Sequence, residues 1–239
     1  MPLFQVRQRS VWFAHVPKTG GTSVEQALAS TADVSITFLD WGWHNRFRRG
    51  VWPTRRPPCS PQHLTWADGL AAQASRPDHV VGIVRDPAQR IQSEWRYQKS
   101  RQSSTKLGRA FASLPFSIWL PIVLSMAARN PYAFDNHIRP QSDFLPETAT
   151  VFRLEDGLDG VLHWMSDALE TPLPPAGSAL KTGKSHTMSE QDAALIYGAF
   201  QKDFQRFGYS PLRVSARKPA IWAHIVARPL VWLDLRGLI

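Results

Sequence analysis

The chain has 239 residues, 43% of them apolar and 11% aromatic, which excludes a disordered polymer and allows one sizeable core. Lysine and arginine number 28 against 19 acids, a net charge of +9 that favours an anionic partner: nucleic acid, a membrane surface, or a phosphorylated or acidic small molecule. The single cysteine, Cys59, excludes an internal disulfide framework and any CxxC zinc or redox motif. The first sixteen residues hold no long apolar run, so neither a signal peptide nor an N-terminal anchor is expected.

Residues 10–16 form an apolar, β-branched and aromatic run that predicts a strand, and Val24, Ala27 and Leu28 carry the period of a following helix. Between them stands Pro17-Lys18-Thr19-Gly20-Gly21-Thr22-Ser23. Alternation of Val34, Ile36 and Phe38 predicts a second strand over residues 33–39. Residues 41–65 read as an irregular basic loop with Arg46, Arg48, Arg49, Arg55 and Arg56 and no acid; residues 64–74 suit a helix. Residues 79–84 predict a buried strand ending at Arg85, after which Asp86 caps a helix with Pro87 as its first residue, running to about Lys99. Helical material then extends to Arg129. Its apolar part, residues 114–128, is broken by Pro115, Ser117, Pro121 and Ser125 and falls short of the roughly 20 residues that span a bilayer, so it predicts a core helix. A strand over 151–154, a helix to Leu169 and a proline-rich linker over 171–178 follow. Ser189, with Asp192 three positions on, opens a helix that stops near Gly208. The tail sets Trp222, Ile225, Val226, Leu230 and Trp232 among Arg217, Lys218, Arg228 and Arg236. Strands alternating with helices predict an α/β fold: a P-loop-like, mostly parallel sheet flanked by helices, as a single domain over residues 1–210, with a basic amphipathic helical extension over 211–239.

The string from His15 to Ser23 carries the most chemistry. Between a strand and a helix, exposed backbone N–H groups and the helix dipole favour an anion. Two glycines let the backbone close around phosphate oxygens, Lys18 adds a point charge, and Thr22 and Ser23 add hydroxyls. A plain glycine turn is the bland alternative. The string is not a nucleotide-kinase Walker loop, because Lys18 precedes the glycines instead of following them. A second near-match, Gly177 to Ser185, has the wrong spacing and follows a proline-rich loop in place of a strand.

The first motif, followed by Arg85-Asp86-Pro87 and Ser93 on the next helix, resembles the sulfotransferase family, in particular its carbohydrate and heparan-sulfate 2-O branch and that branch's bacterial relatives. The resemblance covers about residues 11–209 and implies 3′-phosphoadenosine-5′-phosphosulfate as donor. It implies that Pro17, Lys18, Thr19, Gly20, Gly21, Thr22 and Ser23 cradle the 5′-phosphosulfate. Arg85 and Ser93, with Lys184 from a C-terminal loop that also holds Lys181 and Ser185, would bind the 3′-phosphate. Arg85 at a strand end and Ser93 on the following helix suit the carboxyl edge of a parallel sheet.

Sulfuryl transfer needs a cation on the leaving phosphate, for which Lys18 is suited, and a base for the acceptor hydroxyl. Among eight histidines, His63 lies between the two motifs, where the resemblance implies the catalytic histidine; capping of the helix after it is the bland alternative. His137 is the next candidate, with Arg139 and Gln141 in a segment that resembles the family's acceptor side; His44, Glu25 and Asp40 stay open. His15, which stands where some relatives have arginine, either meets phosphate or packs at the strand end. Glu155 and Asp156 suit either a family acidic pair or a helix start.

The expected protein is a single-domain, metal-independent transferase of cytoplasmic bacterial type, working in the cytoplasm or at the inner face of the membrane, that acts on a hydroxyl of a carbohydrate or glycolipid, an anionic one if the arginine-rich loop binds it. Peripheral membrane contact through the tail is also expected, and no nucleic acid. Two rivals remain: a P-loop phosphotransferase, which would need magnesium and a strand-end acid, and a non-catalytic nucleic-acid or membrane-surface binder.

Overall fold

The computed structural model describes residues 1–37, 59–72, 76–100, 103, 105–176, 187–211, 214–236 and 239. Several sequence readings fall outside these residues: the end of the strand expected to Leu39, Asp40, His44, the loop arginines Arg46 to Arg56, the Gly177 near-match, and Lys181, Lys184 and Ser185. The chain forms two compact units, Met1–Arg85 with Gln141–Lys181, and Asp86–Pro140 with Thr182–Ile239.

The first unit holds a five-stranded sheet of β1 (Leu3–Val6), β2 (Arg9–Ala14), β3 (Ser35–Thr37), β4 (His79–Val84) and β5 (Thr150–Arg153), in the order β3-β1-β2-β4-β5. It is mixed. β2, β4 and β5 run parallel, with Ala14 opposite Gly82 and Val84 opposite Arg153, whereas β1 is antiparallel to both β2 and β3. The hairpin from β1 to β2 turns at Arg7, which takes a left-handed φ of 53° in place of the expected turn glycine. Helices α1 (Gly21–Ala29) and α6 (Asp159–Leu169) cover one face, where Val24, Leu28, Val161 and Met165 join Val11, Phe13, Val81 and Ile83 in an apolar cluster. Trp12 points the other way, as strand alternation requires, and meets Trp66 of helix α2 (Trp66–Ala72) at 5.4 Å between ring centres.

The second unit is helical: α3 (Pro87–Ser100), α4 (Lys106–Ala112), α5 (Phe116–Arg129), α7 (Glu190–Arg206) and α8 (Ile221–Leu235). The start signals act as expected. Asp86 Oδ1 accepts from Gln89 N at 2.9 Å at the head of α3, and Ser189 Oγ accepts from Asp192 N at 3.1 Å at the head of α7. α5 is the core helix, with Trp119, Leu120, Val123 and Met126 buried against Ile196, Phe200 and Phe204 of α7. α8 lies on α5 and buries Ala223 and Ala227. The chain leading into α8 crosses α7 at Gly198, where a methyl group would strike the backbone of Arg217.

Candidate active site

The parallel strands set out the first unit's site. β2 and β4 are neighbours, so the loop after Ala14 and the residue after Val84 emerge side by side at their carboxyl ends. In that loop Lys18 has φ 70° and Gly20 has φ 86°. A left-handed lysine is uncommon and points to a backbone curled for a purpose. Thr19 is buried and turned inward, donating from Oγ1 to the Val16 carbonyl at 2.8 Å, which fixes the curl. α1 starts with Gly20 as its cap, a residue without a side-chain oxygen to meet the first helical N–H groups, and there is no acid in its first turn. The N–H groups at that end therefore meet neither a capping side chain nor an acid of the first turn, the condition under which a helix start favours an anion.

Arg85 is buried and reaches the loop, its Nη1 donating to the Lys18 carbonyl at 3.4 Å. Its main chain is clamped by Gln141, whose Oε1 accepts from Arg85 N at 2.9 Å while its Nε2 donates to Arg85 O at 2.8 Å. Sequence reasoning set Gln141 on the acceptor side; its amide here fixes the end of β4.

His63 sits in a 3₁₀ turn, Pro61–His63, and is buried. It does not cap α2. Thr65 does so, with Oγ1 accepting from Asp68 N at 3.1 Å and the Asp68 carboxylate accepting from Thr65 Oγ1 at 2.7 Å. The bland explanation for His63 is thereby taken by another residue. Its Nδ1 lies 3.0 Å from Ser60 Oγ and its Nε2 lies 3.2 Å from Gln62 Nε2. These two contacts hold the ring between the Ser60 hydroxyl and the Gln62 amide, one partner at each nitrogen.

His15 brings these pieces together. Its Nδ1 contacts the Glu25 carboxylate, its ring meets that of His63 edge-on at 5.0 Å between centres, and it lies against Gly21, where a Cβ would come within 3.0 Å of three ring atoms. His15 thus packs at the strand end with a carboxylate partner. Glu25 lies one helical turn beyond Gly21 and so overhangs it; that spacing, rather than any motif, is the signal that could have paired it with His15.

In the second unit, His137 Nδ1 is 2.7 Å from Glu94 Oε2. Arg90, wholly buried, donates to the carbonyls of His137 at 3.0 Å and Arg139 at 2.7 Å, and its guanidinium lies over the Phe200 ring. Burial pulls the Arg90 pKa below the usual arginine value, opposed by Asp203 and Glu94. Arg139 stacks on Tyr132, and Ser93 is half-buried on α3. Glu94 and Arg90 as supports of the His137 segment had no sequence signal beyond helical spacing on α3. Glu155 and Asp156 form an exposed turn after β5.

Parallel strands feeding a curled loop and a glycine-capped helix define an α/β protein with a strand–loop–helix site at the carboxyl edge of its sheet. The family model described as Sulfotransferase family matches residues 2–210, and the chain belongs to that family. It is a transferase of sulfuryl groups. No curated protein and no solved structure matches it significantly. The family match ends before α8.

Proposed function

We propose that the protein moves a sulfuryl group from 3′-phosphoadenosine-5′-phosphosulfate to a hydroxyl of a carbohydrate or glycolipid. One observation carries the donor: the loop from Lys18 to Gly21, curled by two left-handed residues into a helix start whose cap is glycine. A 5′-phosphosulfate there would meet backbone N–H groups, the hydroxyls of Thr22 and Ser23 and the Lys18 ammonium. Arg85, Ser93 and Lys184 would serve the 3′-phosphate.

In the transfer the bond between sulfur and the bridging phosphate oxygen breaks as the acceptor oxygen bonds sulfur from the opposite side. Lys18 neutralises charge growing on the departing phosphate oxygen. The acceptor hydroxyl proton passes to His63 Nε2, the hydroxyl taking the place of the Gln62 amide, and adenosine 3′,5′-bisphosphate leaves. With its proton on Nδ1 donated to Ser60 Oγ, the imidazole would present Nε2 as the acceptor that this step needs. His15, itself held by Glu25, buttresses the His63 ring and the loop, and is a positioning residue.

Calorimetry and an acceptor screen test the reading. Adenosine 3′,5′-bisphosphate is expected to bind without magnesium, and labelled donor to mark envelope glycans or glycolipids. Binding of magnesium-ATP in preference to the bisphosphate would overturn the donor assignment in favour of phosphoryl transfer, and labelling of small phenols alone would overturn the acceptor class.

A further inference from the structure

Helix α8 has an unusual surface. Its inner face buries Ala223 and sets Ala227, Leu230 and Val231 in the second unit's core. Its outer face is apolar too: Ile221, Trp222, Ile225, Val226, Trp232 and Leu235 are all exposed, Ile221 at 79% and Leu235 at 65%. A surface helix ordinarily turns polar residues outward, and one that is apolar all round is otherwise buried or in contact with lipid.

Among the described residues of this helix and of the segment leading into it, the exposed charges are of one sign. Arg228 and Arg236 are exposed among the apolar residues, Arg236 lying 4.0 Å from the Trp232 ring centre, and the exposed pair Arg217 and Lys218 precedes the helix. The one acid of the helix, Asp234, is turned away from this face and accepts from Phe134 N at 3.1 Å. A bilayer interface takes this composition well: aliphatic side chains enter the acyl boundary, tryptophans sit at headgroup level, and arginines meet lipid phosphates. Crossing is excluded by length, since 15 residues rise only about 22 Å against a hydrocarbon core of about 30 Å, and Arg228 and Pro229 lie in the middle. No single helix among the described residues is long and apolar enough to cross a membrane. A second copy fits less well: a twofold pairing of two such faces would bring arginines together with no acid opposite.

We propose that α8 is an interfacial helix that seats the protein on an anionic lipid bilayer, in the membrane plane. The inference stands on α8 alone and does not use the transfer chemistry.

The test is flotation of the full chain with phosphatidylcholine vesicles, with and without phosphatidylglycerol, at low and high salt. Binding is expected to the anionic vesicles only and to weaken with salt. Arg228→Glu with Arg236→Glu should weaken it by more than about tenfold, and Trp222→Ser with Trp232→Ser should abolish it. Unchanged circular dichroism and bisphosphate binding show that both variants fold. No binding to anionic vesicles, or equal binding by both variants, overturns the proposal. So does a concentration-dependent dimer, seen by light scattering, that the same variants dissolve, because a second copy would then cover the face. Flotation needs no turnover, so its failure and that of the transfer assignment are separate results.

Discussion

Gly21→Ala isolates the contact between the anion loop and the histidine pair. Gly21 does not have a positive φ, so the backbone accepts alanine, and the helical start gains roughly 0.5–1 kcal/mol from the exchange. The new Cβ, however, would stand 3.0 Å from three atoms of the His15 ring, where ordinary contact begins at 3.4 Å. The imidazole must shift by about 0.4–0.5 Å, which disturbs its Glu25 contact and its 5.0 Å edge-on approach to His63. Overpacking of this kind costs about 1–3 kcal/mol, so the variant should fold with a net loss near 1 kcal/mol. A 1 Å error in a reacting geometry costs on the order of a hundredfold, so half of that should lower turnover about tenfold. The assay is a double-mutant cycle with His15→Ala, read as turnover of labelled donor and as calorimetric affinity for adenosine 3′,5′-bisphosphate. If the glycine matters through His15, adding Gly21→Ala to His15→Ala costs nothing further. An equal loss in both backgrounds would refute this and mean that the methyl group obstructs the anion itself.

His63→Ala should lower turnover by about 10²–10⁴-fold while leaving bisphosphate affinity within about twofold; full activity would remove His63 as the base. Lys18→Ala should cut turnover by about 10²–10³-fold, measured in the same assay. Arg90→Met leaves two buried carbonyls without their donor and should lower unfolding stability by about 3 kcal/mol in urea. Asp78 accepts from both Ser10 N and Ser10 Oγ at 2.7 Å, and these bonds, Ser10 Oγ foremost, hold its carboxyl below the usual aspartate value. Its stabilising effect is therefore complete above about pH 4 and fades as pH falls through the lowered value. Asp78→Asn should cost less than about 1 kcal/mol at pH 6, as the group is exposed, and the difference from the parent should shrink in melts at acid pH.

Much of the α/β plan was legible because its signals are local. Buried runs gave β2 and β4, and Asp86-Pro87 and Ser189 marked helix starts through oxygen atoms that must meet N–H groups. β1 was not legible: it is four residues long, and Arg7 makes its turn without a glycine or asparagine. The antiparallel edge of the sheet was missed for the same reason. In the site, the loop and Arg85 lay in contiguous motifs. The partners of the histidines did not, because Glu25, Ser60, Gln62 and Glu94 depend on which side chains the fold turns toward one ring. Gln141 is the clearest case, since 56 residues separate it in sequence from the backbone that it clamps.

The turn before His137 links α8 to a candidate site residue. Phe134, Asp135 and Asn136 are three successive left-handed residues, with φ of 52°, 58° and 67°. At about 1–2 kcal/mol each for ordinary side chains, less for Asp and Asn, the run stores roughly 3 kcal/mol. Arg90 offsets that with two charge-assisted bonds to the carbonyls of His137 and Arg139, and Asp234 adds a third at Phe134 N. Bonds to charged groups contribute about 1.5–3 kcal/mol each, so losing one leaves the turn close to balance. Asp234→Ala should therefore keep global stability nearly intact yet loosen residues 134–137, seen as at least about tenfold faster amide exchange there. Unchanged exchange would mean that burial of Phe134 and Ile138, not Asp234, fixes the turn. Deleting α8 would remove the same clamp, so loss of activity on truncation would report on the His137 turn as much as on membrane seating, and only the outward-facing substitutions separate the two.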